Sequence, residues 1–263
     1  MVFSVEDGVH PNACSFHGTG TNGHAVILTH GLSGSLFHYR EMAADLLASG
    51  FTVYGLRLPG HGTHPDDLLD IRCEDYQESA DSLVEQVLQT SESVSFIGGS
   101  LGGNVLLHFA SRHANNPRLH RIVIVDAPIL VPGAWWYRPI LPLIRRVSPY
   151  YQKPWARKDR TDGEYFTEHG SYRYMPIIAV EEFYRFIDDF TRPVLSQITQ
   201  PVLIIQSRRD NVILPKSAKY LQSHLTNTHV ELRWVESGEH VPFLNLPASF
   251  RETIVRFLEK DLY

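Results

Sequence analysis

Apolar residues along this chain fall into two regular patterns that take turns. Short unbroken runs have the length and β-branched content of strands covered on both faces. They are Ala25-Val26-Ile27-Leu28-Thr29, Thr52-Val53-Tyr54-Gly55-Leu56, Ser95-Phe96-Ile97, Arg121-Ile122-Val123-Ile124-Val125 and Pro201-Val202-Leu203-Ile204-Ile205-Gln206. Val230-Glu231-Leu232-Arg233-Trp234-Val235 alternates and predicts a further strand. Between them, apolar residues recur at helical spacing. Met42, Ala43, Leu46 and Leu47 share one face; Tyr76, Ala80, Leu83, Val84, Val87 and Leu88 share another. Leu101, Val105, Phe109 and Ala110 do the same, as do Phe250, Ile254, Phe257 and Leu258 behind Pro247, which suits a first helical turn. Strands alternating with helices predict an α/β fold: a mostly parallel central sheet with helices on both faces. At 263 residues the chain is expected to be one domain, 1–263.

The alternation breaks at about 128–192, too long for an ordinary crossover and expected to be an inserted cap. It is dense in rings, among them Trp135, Trp136, Tyr137, Tyr150, Tyr151, Trp155, Tyr165, Phe166, Tyr172 and Tyr174. Arg145, Arg146, Lys153, Arg157, Lys158 and Arg160 add positive charge. Trp135 and Trp136 are candidates to line an apolar pocket, and the basic rim admits contact with an amphiphilic surface. The competing expectation is a small helical unit whose rings pack on the main core.

Candidate chemistry sits at the strand ends. Gly98-Gly99-Ser100-Leu101-Gly102 joins an apolar run to a helical one, the context a nucleophile elbow requires. The tight turn lifts the serine hydroxyl above the sheet, and the helix N-terminus offers backbone N–H groups to developing negative charge. Asp210 lies in the loop after the Pro201–Gln206 run, and His240 in the loop after Val230–Val235. Nucleophile, acid and histidine thus follow three strands in the order Ser100, Asp210, His240. Asp126, at the end of the Arg121–Val125 run, is the alternative acid; chain order favours Asp210. His30-Gly31-Leu32-Ser33-Gly34 follows the first buried run and is placed to supply a second oxyanion donor. The backbone N–H groups of Leu32 and Leu101 are the candidate donors, with His30 bracing the loop.

With these segments assembled, the chain resembles the α/β-hydrolases, and within them the small bacterial carboxylesterases and monoacylglycerol lipases. The resemblance rests on His30 to Ser35, on Leu58-Pro59-Gly60-His61-Gly62-Thr63-His64 through Leu68, on Gly98 to Gly103, on Pro201 to Asp210 and on His240. Two positions depart from the family pattern: Glu239 intervenes in Ser237-Gly238-Glu239-His240, and Asn245 stands where an Asp is common. The resemblance implies hydrolysis of short- to medium-chain carboxylic esters, monoacylglycerols among them, through an acyl-enzyme on Ser100 and without metal or organic cofactor. A thioesterase or acyltransferase would share these residues. A non-catalytic ligand-binding relative would ordinarily have lost one of the three, and a dehalogenase or epoxide hydrolase would need a carboxylate in place of Ser100.

Composition narrows the partners. A formal charge of −5 argues against a nucleic-acid footprint. Residues 1–11 lack the basic and apolar regions of a signal peptide, and no apolar run is long enough to cross a bilayer. Cys14 and Cys73 are too few for a disulfide framework and wrongly spaced for zinc. The expected setting is cytoplasmic and the expected partner a small acyl ester, with oligomeric state left open.

Overall fold

A computed structural model of the chain describes residues 1–4, 6–153, 165–241, 243 and 246–260. Trp155, Arg157, Lys158, Arg160 and Asn245, singled out above, lie outside the described residues.

Eight strands form one sheet: β1 (Val2–Phe3), β2 (Phe16–Gly18), β3 (His24–Thr29), β4 (Thr52–Leu56), β5 (Ser93–Gly99), β6 (Leu119–Val125), β9 (Val202–Ser207) and β10 (Val230–Val235). Their spatial order is β1-β2-β4-β3-β5-β6-β9-β10, with β2 antiparallel to both neighbours and all later pairings parallel. Every residue of β3 and of β9 is buried, because helices cover both faces. Ala25 and Ile27 enter the core cluster beneath α2 (Cys73–Leu88) and α3 (Leu101–Arg112). Val26 and Leu28 enter the opposite cluster, beneath α1 (Arg40–Ala48) and α7 (Ala248–Glu259). That two-sided burial is why these strands read as unbroken apolar runs. The short strands at one end of the sheet, β1 and β2, carry no such signal; they are two and three residues long.

Packing divides the segment 128–192. Its first part holds α4 (Ala134–Tyr137) and α5 (Leu141–Val147), then β7 (Tyr150–Gln152), which pairs antiparallel with β8 (Tyr174–Pro176). Its second part, α6 (Ile177–Arg185) and the π-helical turn Phe186–Thr191, sends Ile177, Phe183, Tyr184, Phe186 and Ile187 into the core beside α3. The first part is the more exposed: α4 buries no residue and α5 only Leu141. No described helix is long and apolar enough to cross a membrane.

The parallel strands end on one edge. The loops that follow β3, β5, β6, β9 and β10 there carry Leu32, Ser100, Asp126, Asp210 and His240 respectively. Ligands of open α/β sheets bind at this carboxyl edge.

Candidate active site

Gly99 closes β5 and Leu101 opens α3, so Ser100 alone makes the turn. It does so at φ 51° and ψ −130°, a conformation rare for a residue with a side chain. Its N–H donates to the Val125 carbonyl at 2.9 Å, and its own carbonyl accepts from Gly103 N–H at 2.9 Å. The strained residue is therefore tethered on both sides. The loop after β3 passes directly over it: a Cβ added at Gly31 would lie 2.7 Å from Ser100 Cβ and 3.2 Å from its Oγ. Only glycine permits that approach. The next N–H in this loop, from Leu32, and the first of α3, from Leu101, make no hydrogen bond to any described residue. The latter belongs to the orphan donors of a helix N-terminus.

Asp210 and His240 meet across the β9 and β10 loops. His240 Nδ1 lies 2.7 Å from Asp210 Oδ2, and the Asp210 side chain is fully buried. The other carboxylate oxygen accepts from Val212 and Ile213 N–H at 2.7 and 2.9 Å, fixing its direction. An Nδ1 proton held by a carboxylate leaves Nε2 as the basic nitrogen. Asp126, the alternative acid, does not bond the ring; its oxygens take donors from Gln206, Ser207 and Val241. Polar atoms of Asp126, Asp210 and His240 lie within 4.8 Å of one another, a set that resembles a cation site. Hydrogen-bond donors already satisfy these oxygens. Glu239, the family departure, is exposed, and its N–H is held by Ser237 Oγ at 3.0 Å.

Two buried histidines hold the loop above Ser100. His30 accepts from Leu58 N–H through Nε2 (3.2 Å), so its Nδ1 donates to the Gly31 carbonyl (2.9 Å). His61 accepts from Ser33 N–H through Nε2 (2.8 Å) and donates from Nδ1 to the Pro59 carbonyl (2.9 Å). Each ring works as one donor and one acceptor, which only the neutral imidazole can be. Burial lowers both, His61 to about 4 and His30 well below its ordinary value. The unfolded rings take up protons near 6.5 while the folded ones do not, so the unfolded state binds more protons between those values. This stability is therefore complete above pH 6.5 and lost as pH falls toward 4. At about 1.4 kcal/mol per pH unit, His61 alone is worth roughly 3 kcal/mol, and His24 and His38, lowered to about 3 and about 4, act in the same sense. Urea midpoints should be level above pH 7 and drop steeply from pH 6.5 to 4.5. A flat profile there contradicts neutral His61.

The cap contributes differently from expectation. Trp135 and Trp136 do not close a pocket: they are 85% and 57% exposed. The helix α4 that carries them is four residues long, too short to bury two large rings. Tyr172 instead reaches the site's supports. Its hydroxyl donates toward the Gly60 and His64 carbonyls (2.9 and 3.0 Å) and accepts from Thr63 N–H (3.1 Å), while its own N–H donates to the Ser33 carbonyl (2.9 Å). The cap's positive charge is not a uniform solvated rim either. Arg145 pairs with Glu181 at 2.7 Å, Arg138 pairs with Asp188, and desolvation pulls the half-buried Lys153 down to about 8. A hollow of about 240 Å³ beside Asn116, His120 and Gln200 lies at the opposite edge of the sheet and takes no part in this site.

His61, Gln206 and Ser207 carry no role in the sequence-based expectations. A signal was present for the last two. Polar residues ending a strand buried on both faces mark a buried partner that must be satisfied.

A serine on a strand-to-helix elbow, an Asp–His pair from the last two strand ends and this sheet order define an α/β-hydrolase. More narrowly, residues 20–246 match the family described as Serine aminopeptidase, S33 (Hydrolase_4), and the chain belongs to that family. It is 25% identical over 224 residues to a thermostable monoacylglycerol lipase of Bacillus sp. (strain H-257), covering 84% of each chain. It is 24% identical over 239 residues to a carboxylesterase of Bacillus subtilis (strain 168), covering 90% of this chain and 92% of the relative. Among solved structures, a member of the metagenome-derived lipolytic pair LipS and LipT shares the fold with a TM-score of 0.81 at 22% identity, covering 98% of this chain and 100% of that one.

Proposed function

We propose that the protein is a serine hydrolase of carboxylic esters, acting on short- to medium-chain acyl esters, monoacylglycerols among them. The observation that carries this reading is the 2.7 Å bond from His240 to Asp210, beside a serine held on a strained elbow. Serine is a weak nucleophile until a base takes its proton. In this reading His240 Nε2 accepts the Ser100 hydroxyl proton as Oγ attacks the ester carbonyl. Leu32 and Leu101 N–H groups hold the oxyanion. Collapse of the tetrahedral intermediate breaks the bond to the alcohol oxygen, which leaves with the proton from His240. Water, deprotonated by the same ring, then attacks the acyl-enzyme, and the carboxylic acid departs from a regenerated Ser100. Asp210 keeps the ring in the useful tautomer and stabilises the imidazolium. The names of the two Bacillus relatives support ester substrates.

A panel of p-nitrophenyl esters tests the substrate range. Each buried methylene is worth up to about 0.8 kcal/mol, roughly fourfold in kcat/KM. The specificity constant should rise from acetyl to medium-chain acyl groups and then level off. Because Trp135 and Trp136 lie outside, replacing both by Ala should leave that profile unchanged. A steady fall from acetate onward overturns the acyl range.

A further inference from the structure

Asp126 lies fully buried at the end of β6 with φ 49°, and all its acceptor capacity is used. Oδ1 accepts from Gln206 Nε2 and Ser207 N–H, each at 2.7 Å. Oδ2 accepts from Ser207 Oγ at 2.9 Å and from Val241 N–H at 2.8 Å. Four donors and no acceptor hold it as a carboxylate. Val241 is the residue after His240, and it sits at φ 53°, which a β-branched side chain rarely tolerates. It also presses on the elbow: a Cβ at Gly99 would meet Val241 Cγ1 at 2.5 Å. The N–H of the strained backbone that aims His240 is thus held by Asp126, while the Val241 carbonyl accepts from Phe243 N–H at 2.9 Å.

We propose that Asp126 is a positioning residue for His240, fixing the loop of the imidazole through Val241 N–H and setting a second negative charge beside the ring. This rests on the reading of His240 as the base. Two carboxylates lie close to the ring besides its own loop, Asp210 from the β9 loop and Asp126 from the β6 loop; the phenol of Tyr39, kept neutral by burial and packed beside Gly99, interacts with Asp126. Burial pushes the Asp126 carboxyl upward and the charge of His240 draws it back, the mutual coupling that two adjacent charges require.

Asp126→Asn keeps the shape but brings an NH₂ against donors on whichever side it turns. The expected result is a 10- to 100-fold loss in kcat with a KM within about twofold of the parent. A wild-type kcat overturns the proposal. So does a loss of kcat/KM carried by KM at unchanged kcat, which is what a general loosening of the site would give. Should Asp126→Asn fail to fold, Ser207→Ala removes one donor from the oxygen that holds Val241. It should lower kcat about three- to tenfold at constant KM, and an unchanged kcat there overturns the proposal. His240→Ala, assayed beside them, separates the two readings. If it is active, the base assignment falls; if it is inactive while Asp126→Asn behaves as wild type, only the positioning role falls.

Discussion

Ser100→Ala should lower ester turnover by about 10⁶, the order seen when an activated serine nucleophile is removed. The loss is that large because nothing else at this edge takes its place. The neighbouring hydroxyl on the loop above, Ser33, spends its Oγ on the Leu32 carbonyl at 2.6 Å. His240→Ala should cost about as much, and the double variant no more than either, because base and nucleophile act as a unit. A fluorophosphonate should label the parent on the peptide containing Ser100 and leave the Ala variant unlabelled. A folded, uncontaminated Ser100→Ala protein with near-parental activity would overturn the assignment.

Asp210→Asn is expected to cost on the order of 10⁴ in kcat, with much smaller change in KM. The Asn oxygen can still accept from Val212 and Ile213 N–H, so the loop keeps its shape. The amide NH₂ then faces His240 Nδ1. The ring answers by accepting there and carrying its proton on Nε2, where it cannot take one from Ser100. The loss should exceed that of Asp126→Asn by at least tenfold in the same assay. The reverse ranking would move the acid to the β6 loop.

Much of this was legible in the sequence, for a physical reason. A strand covered on both faces leaves little room for polar residues along its middle, so β3, β6 and β9 announce themselves. Residues that follow such strands must emerge on one edge, which is why Asp210 and His240 meet across 30 residues of chain at the edge that also carries Ser100. The supports were not legible. His61 reaches Ser33 across 28 positions and Asp126 reaches Val241 across 115, distances at which no local pattern operates. Ring content misled in the cap, because composition counts Trp135 and Tyr172 alike while packing puts one in solvent and the other at 1% exposure.

Ser33, Ser100, Asp126 and Val241 are the non-glycine residues with positive φ among those described, and each borders the edge that carries Ser100. Such conformations cost on the order of 1–3 kcal/mol apiece, most for the β-branched Val241. A selection for heat resistance alone would therefore be drawn to this edge. Glycine at Val241 relaxes the backbone but gives up the side chain's packing on the core and frees the residue that steers His240. Hardier descendants that keep their rate have to be bred elsewhere, at exposed apolar positions of the cap such as Leu143 and Val147, with these four residues left untouched.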